Sequence, residues 1–340
     1  MQTIDYVIQS LETLVNIPSP TGFTHNAIAF VEKEAQSMGY ATELLNKGGL
    51  IITVPGQSPA ILGLSAHVDT LGAMVRSINN DGTLNLISVG GFTMESVEAT
   101  YCKIHTRTGK VYEGTILSKS PAVHSYDDAR TLDRTERNMR VRLDEVVESA
   151  DDVRALEIEV GDFISFDPLF RYLESGYVKS RHLDDKASVA VLLGLLKELK
   201  DSGKTPAKTL KLLISNYEEV GHGAAYVPEG MEEMLAVDMG VVGDDLAGDE
   251  RKVSICAKDS SGPYDYDMTN RLISLAKENN IQYVVDVFPH YSSDCSAALR
   301  GGNNLRGALI GQGVNASHSM ERTHKEGLEN TLKLVVAYVQ

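Results

Sequence analysis

The chain has 340 residues, of which 42% are apolar, 23% charged and three are Cys, an ordinary globular composition that excludes disorder, collagen or a coiled coil as a reading of the whole. Its formal charge of -15 repels phosphate backbones and argues against nucleic acid as a partner, while acids gathered in a cleft would attract a metal or an amine. Cys102, Cys256 and Cys295 lie far apart with no CxxC spacing, which removes a disulfide framework, a zinc finger and an iron–sulfur cluster.

Residues 4–17 and 24–38 read as amphipathic helices, the second capped by Thr24, with Ala27, Phe30, Val31 and Met38 on or near one face and Gly39 as its stop. MQTIDYVIQS has neither a basic n-region nor an apolar core, so no signal peptide is expected. ILGLSA at 61–66 is a short apolar run ending at His67 and reads as a buried strand. From about 74 to 176 the chain alternates apolar and polar residues between glycines (GTLNLISVGG, ATYCKIHT, KVYEGTIL, VRALEIEVGDFISF), the pattern of a small all-β unit. Within it, 125–152 is highly charged and suits a short helix or a mobile loop.

The α/β pattern resumes at Lys186, where KASVAVLLGLLKELKDSG reads as a helix ended by Gly203. Its apolar run at 189–196 is too short to span a bilayer, so a cytoplasmic protein with no membrane partner is expected. TLKLLISN at 209–216 is a strand, MLAVDMG, VSICAKD, IQYVVDV and GALIG are further strand candidates, and helices fall around 265–279 and 325–338. Strands alternating with helices predict an α/β domain with a parallel or mixed sheet covered on both faces. The expected division is a principal domain of residues 1–73 and 177–340, interrupted by a β insert at 74–176.

Chemistry gathers at five places: AHVDTLG at 66–72, HLDDK at 182–186, NYEEVGHG at 216–223, VDMG at 237–240 and SHSMERTH at 317–324. All but HLDDK lie at or just beyond an apolar strand-like segment, and carboxyl ends of strands in an open sheet converge on one crevice. His67 suits either a zinc ligand or a strand-end cap, with Asp69 placed to accept its second ring N–H. Asp184 and Asp185 suit helix-start capping as well as a carboxylate bridging two metals. Glu218 and Glu219 are adjacent on an extended chain and point opposite ways, so one can serve as a base and one as a ligand; a solvated surface pair is the plainer alternative. Asp238 is a turn aspartate or a ligand. His318 competes with His324 in one segment, His182 reads as a loop residue, and His290 touches substrate or fills a loop. HExxH is absent. Together these give two imidazoles and at least three carboxylates, the inventory of a dinuclear site.

The sequence resembles the cytosolic dinuclear-metal aminopeptidases of the glutamyl aminopeptidase and tetrahedral (TET) aminopeptidase family, some of whose members carry older endoglucanase labels. The resemblance covers nearly the whole chain and rests on SPTG at 19–22, AHVDTLG, GDFISFDP at 161–168, HLDDKAS, EEVGHGAA and SHSMERTH, in that order. It implies a doubly wound zinc-peptidase domain interrupted by a small β-barrel or PDZ-like domain that aids assembly and substrate access. It implies two divalent metals per subunit, zinc or else cobalt or manganese. His67 and Asp238 would hold one metal, Glu219 and His318 the other, and Asp184 would bridge them across a cis Asp184–Asp185 bond. Glu218 matches the general base and Asp69 the residue that orients His67. The implied substrates are short peptides with a free N-terminus, and the implied assembly is a homo-oligomer, commonly a tetrahedral dodecamer. Three departures concern the substrate pocket: Thr70 where an acid is common, His222 where a less polar residue is usual, and no Gly-Thr before Asp294 in PHYSSDCSAA. Two rival functions remain: an N-acyl amino acid deacylase or carboxypeptidase using the same chemistry, and a non-catalytic assembly or binding protein. A glycosidase needs only two opposed carboxylates and has no use for the histidines.

Overall fold

The computed structural model describes residues 2–340. The chain divides into two compact units, one formed by residues up to 69 together with 169–340, the other by 70–168. These limits fall a few residues ahead of those expected from composition.

The larger unit is built on a mixed sheet. In spatial order its main path runs Ala41–Leu44, Leu50–Val54, Lys208–Ser215, Ser58–His67, Met231–Val237, Arg306–Asn315, Glu321–His324, Tyr177–Ser180 and Arg171–Tyr172. Four adjacent strands at its centre (208–215, 58–67, 231–237 and 306–315) are parallel. Their registers align Ser215 with His67 and Val237 with Ile310, so their carboxyl ends open at one edge. These strands are buried along most of their length, above all toward their carboxyl ends, which explains why they read as continuous apolar runs and not as alternating ones. Val253–Asp259 packs beside Arg306–Asn315 as an antiparallel neighbour and carries Tyr283–Val287.

The helices Thr3–Val15, His25–Ser37, Leu183–Ser202, Tyr266–Glu278 and Lys325–Val339 supply the rest of this core. Leu183–Ser202 is buried along most of its length, consistent with the apolar VAVLLGLL. Its first residues are not regular helix, because Asp184 and Asp185 have non-helical dihedrals and the peptide bond between them is cis. Thr24 precedes its helix as expected but makes no side-chain cap; its hydroxyl accepts from Asn216 Nδ2 at 3.3 Å. No helix among the described residues is long and apolar enough to cross a membrane.

The smaller unit is a closed six-stranded barrel, in the order Gly72–Ile78, Leu84–Val89, Met139–Leu143, Val111–Ser118, Tyr101–His105 and Phe163–Phe166. Alternate residues such as Val75, Leu84, Leu86, Ile104, Ile116, Val141 and Ile164 fill its interior. The charged stretch 125–152 contains a barrel strand, Met139–Leu143, and a helix, Ala150–Ala155, capped by Ser149 accepting from Asp152 N. The sequence reading anticipated the helix and missed the strand, whose arginines alternate with buried Met139, Val141 and Leu143. Residues 169–176, expected in the insert, belong to the larger unit, where Arg171–Tyr172 pairs with Tyr177–Ser180.

Candidate metal centre

Four of the five expected metal-ligating residues lie at or just beyond the carboxyl ends of the parallel strands. His67 closes Ser58–His67, Glu219 lies in the turn after Lys208–Ser215, Asp238 follows Met231–Val237, and His318 comes three residues after Arg306–Asn315. Asp184, the fifth, sits at the irregular start of Leu183–Ser202.

The structure brings these residues together. His67 Nδ1 lies 2.9 Å from the Asp69 carbonyl oxygen, an atom that can only accept, so Nδ1 carries a proton and Nε2 faces the carboxylates. Nε2 is 3.2 Å from Asp184 Oδ1 and 3.8 Å from Glu218 Oε2. The other oxygen of Asp184 lies 3.4 Å from His318 Nε2, which is itself 3.5 Å from Glu219 Oε2. One carboxylate thus turns an oxygen toward each imidazole. Two triads have donor atoms all within 4.8 Å of one another: His67, Asp184 and Glu219, and His67, Asp185 and Asp238. Asp185 joins one triad, whereas the family resemblance had given a metal role only to Asp184. Asp185 Oδ2 accepts from the His67 backbone N–H at 3.2 Å, and Oδ1 is buried with no hydrogen-bond partner.

The electrostatics of this donor set fit divalent cations. Burial, then the charges of neighbouring acids, pushes the carboxyl of Glu219 up to about 8 and that of Asp238 to about 7. Burial also raises Glu218 and Asp185 well above the ordinary carboxylate range, Asp238 contributing to both shifts. Asp184 goes the other way: burial opposes its charge, but His318 and His67 outweigh it. Burial disfavours the His67 imidazolium, yet hydrogen bonds to Asp184 and Asp69 hold it charged well above the usual range. Five crowded carboxylates share two imidazoles, a charge imbalance that one or two bound divalent cations would relieve. Imidazole nitrogen and carboxylate oxygen are the donors such ions take.

A second layer fixes the ligands. Asp69 is fully buried, and its carboxylate accepts from Thr21 Oγ1 at 2.7 Å, from Glu218 N at 3.1 Å and from Glu219 N at 3.2 Å. Its contact with the His67 ring is made chiefly by its carbonyl, since its nearest carboxylate oxygen is 3.5 Å from Nδ1. Glu321 Oε2 accepts from Asp184 N and Oε1 from His318 N, both at 3.0 Å, so one buried carboxylate ties two ligand-bearing segments. Sequence reasoning gave no role to Thr21 or Glu321, although both lie inside quoted motifs, SPTG and SHSMERTH. Spacing to an expected ligand was the only available signal.

The rival residues find other partners. His324 caps the helix Lys325–Val339, its Nδ1 accepting from Glu326 N at 3.1 Å and its Nε2 donating to Ser175 O at 2.9 Å. His290 is exposed in a turn, and His182 is a buried residue with left-handed backbone. Lys186 donates to the Ile17 carbonyl at 2.7 Å. Asp294 accepts from Ser215 Oγ at 2.5 Å and Ala224 N at 2.9 Å, and His222 stacks on Tyr217 with ring centroids 4.9 Å apart.

Comparison with known proteins agrees with this geometry. The family model described as M42 glutamyl aminopeptidase matches residues 48–334. YhfE of Bacillus subtilis (strain 168), described only as a candidate aminopeptidase, is 47% identical over 342 residues, covering 100% of this chain and 99% of its own. The lysyl aminopeptidase of Pyrococcus furiosus is 22% identical over 72% of this chain and 68% of its own. Among solved structures, an aminopeptidase of Desulfurococcus kamchatkensis matches with a TM-score of 0.88 at 22% identity, over 99% of this chain and 95% of that one. The TET1 peptidase of Pyrococcus horikoshii matches with a TM-score of 0.86 at 24% identity, over 98% and 99% of the two chains. These two structures establish the shared fold, and with the family match over most of its length the chain belongs to the M42 glutamyl aminopeptidase family.

Proposed function

We propose that this metal-dependent aminopeptidase removes N-terminal residues from short peptides with two divalent metals, and that its own side chains divide the work as follows. The observation that carries the reading is Asp184, whose two oxygens face His67 and His318 separately. His67 and Asp238 would hold one ion and Glu219 and His318 the other, with Asp184 shared between them; Asp185 stands beside the first pair and accepts from the His67 backbone N–H. When bound, the ions supply Lewis-acid polarisation of the scissile carbonyl and lower the pKa of water in the cleft. Glu218 and His318 both lie outside the two triads, but His318 faces the carboxylates of Asp184 and Glu219, whereas Glu218 meets the cluster through His67, which leaves Glu218 for the base. It takes a proton from the attacking water and returns it to the departing amine. Asp69 sets the position of Glu218 and Glu219 through their backbone N–H groups. The excess of carboxylates over imidazoles in the cluster suits a protonated substrate α-amine, which accounts for a free N-terminus.

Zinc suits two imidazoles among carboxylates, and cobalt or manganese suits the oxygen-rich half equally. A homo-oligomer, in the extreme a tetrahedral dodecamer, is supported by the likeness to the Pyrococcus horikoshii TET1 peptidase, which can assemble into a tetrahedron or a large octahedral shell. The barrel, PDZ-like in this reading, is then the unit that serves assembly and substrate access, and the cytoplasm is the expected site of action. The deciding experiment measures metal content and hydrolysis of aminoacyl p-nitroanilides, free and N-acetylated, after loading with zinc, cobalt or manganese. Two metals per chain with activity on free amines alone is the expected result. Release of acetate from the acetylated series would indicate a deacylase, and no turnover on any substrate with two metals bound would indicate a binding protein.

A further inference from the structure

The barrel unit carries a cavity of about 350 Å³ that the peptidase reading does not use. Four cationic side chains line it: Arg76, Lys119, Arg137 and Arg140. They come from separate parts of the barrel. Arg76 is the extra residue of a β-bulge, since Val75 pairs with Leu86 and Ser77 with Asn85, and bulges re-aim side chains. Lys119 follows Val111–Ser118, Arg137 lies in the turn Glu136–Asn138, and Arg140 sits opposite Leu117 in the neighbouring strand pair.

Among the described residues, none of the four forms an ion pair with a carboxylate, whereas other barrel cations such as Lys110, Arg134 and Arg154 do. Arg140 Nη1 donates to Asn85 Oδ1 at 2.7 Å, which fixes one guanidinium in place. Glu136 is the one carboxylate in the lining, and its Oε1 is taken by Ser88 N at 2.9 Å and Ser88 Oγ at 2.6 Å. Those bonds keep it charged, and four cations against one carboxylate still leave the cavity positive. In a chain of formal charge -15 this is a local excess of positive charge, offset only in part by Glu136, which feels Arg76, and by Asp81, which feels Arg140.

We propose that this cavity binds a small phosphate-bearing anion with at least two negative charges. Three of its four cations are arginines, whose planar forks match phosphate oxygens in pairs. A single carboxylate would leave most of the charge unmatched, and the volume suits a compact ligand.

The test is calorimetric titration of the full-length, metal-loaded enzyme at low salt with pyrophosphate, ATP, inorganic phosphate and glutarate. Pyrophosphate also has affinity for divalent metals, so variants of the exposed cavity residues decide where it binds. R76Q/K119Q is expected to weaken pyrophosphate binding about tenfold or more, and R137Q to weaken it in the same direction, with aminopeptidase turnover unchanged in both. Binding should weaken further as salt is raised. Tighter binding of ATP than of pyrophosphate would assign a nucleotide as the source of the phosphate, and equal binding an inorganic one. Equal affinity in the parent and both variants, glutarate binding as well as pyrophosphate, or no binding at millimolar pyrophosphate would each overturn the proposal.

Discussion

Asp69→Asn is the most informative single change, because it alters charge and hydrogen-bonding capacity with almost no change in shape. The carboxylate accepts three hydrogen bonds, from Thr21 Oγ1 and from the N–H groups of Glu218 and Glu219. Burial opposes its charge, but the His67 ring, Thr21 and the Glu218 amide outweigh burial and hold its pKa below the usual range, so the fold favours the ionised form. An asparagine offers one acceptor oxygen. If that oxygen serves Glu218 N, the amide NH2 faces Thr21 and Glu219; the threonine hydroxyl can turn to accept, but the Glu219 N–H is left facing a donor. One orphaned buried donor costs about 1–3 kcal/mol, and loss of charge assistance on the remaining bonds brings the total to roughly 2–4 kcal/mol. Displacing the segment that carries Glu218 and Glu219 by about 1 Å is enough for about a hundredfold loss in kcat. Urea unfolding and p-nitroanilide kinetics on the metal-loaded protein read both effects. Thr21→Val is the graded control: it removes one donor and leaves Glu219 N paired, so it should cost about 1–2 kcal/mol with a smaller loss of turnover. The reasoning fails if Asp69→Asn unfolds within about 0.5 kcal/mol of the parent and turns over at a similar rate.

Glu218→Gln should keep both metals and lose about 10²–10⁴ in kcat, checked by metal analysis alongside turnover; parent-like kcat would remove Glu218 from the base role. His318→Ala should lower metal content and abolish activity. His324→Ala should cost about 1 kcal/mol of stability through the lost helix cap while leaving metal content and kcat near the parent values. Chelation should make stability pH-dependent. Glu219 and Asp238 rise on folding from ordinary values of 4.5 and 3.8 to about 8 and about 7, so their contribution is fully present below the lower values and is lost as pH climbs through the raised ones. The metal-free protein should therefore melt at a lower temperature at about pH 8 than at about pH 5, and zinc should abolish the difference; an unchanged melting point at both pH values would contradict the charge-crowding account.

The catalytic framework was legible because its strands are buried on both faces. ILGLSA, LLIS, MLAV and GALIG are apolar runs in strands that lead to the open edge of the sheet, so candidate ligands could be placed by their position after an apolar run. What the sequence concealed is held by non-local pairing. Glu321–His324 has no apolar pattern and is a strand because it pairs with Tyr177–Ser180, far away in sequence. The helix Asp294–Arg300 is too short for its periodicity to show, and its cap, Ser293 accepting from Ser296 N, looks like any serine in a loop. Glu321 and Thr21 act on backbone N–H and carboxylate groups, and a sequence does not show which of these a side chain will meet.

These differences follow from how each ligand is supported. His67 closes a buried parallel strand, where it pairs with Ser215, and Asp238 directly follows another, its N–H donating to the Ile310 carbonyl at 2.9 Å. Glu218 and Glu219 lie in a single 3-10 turn, Asp184 at the irregular start of its helix and His318 in a turn, and His318 adopts a left-handed backbone at φ 63° that a non-glycine residue holds only when its surroundings enforce it. For these residues two buried carboxylates supply the missing restraint: Asp69 accepts from both glutamate amides, and Glu321 from the amides of Asp184 and His318. Removing a ligand should affect metal binding first, whereas removing Asp69 or Glu321 should alter the spacing between ligands that all remain present. The site is therefore expected to be most sensitive where its ligands have the least secondary structure of their own, which puts Asp69 and Glu321 on a level with the ligands despite having no place in either triad.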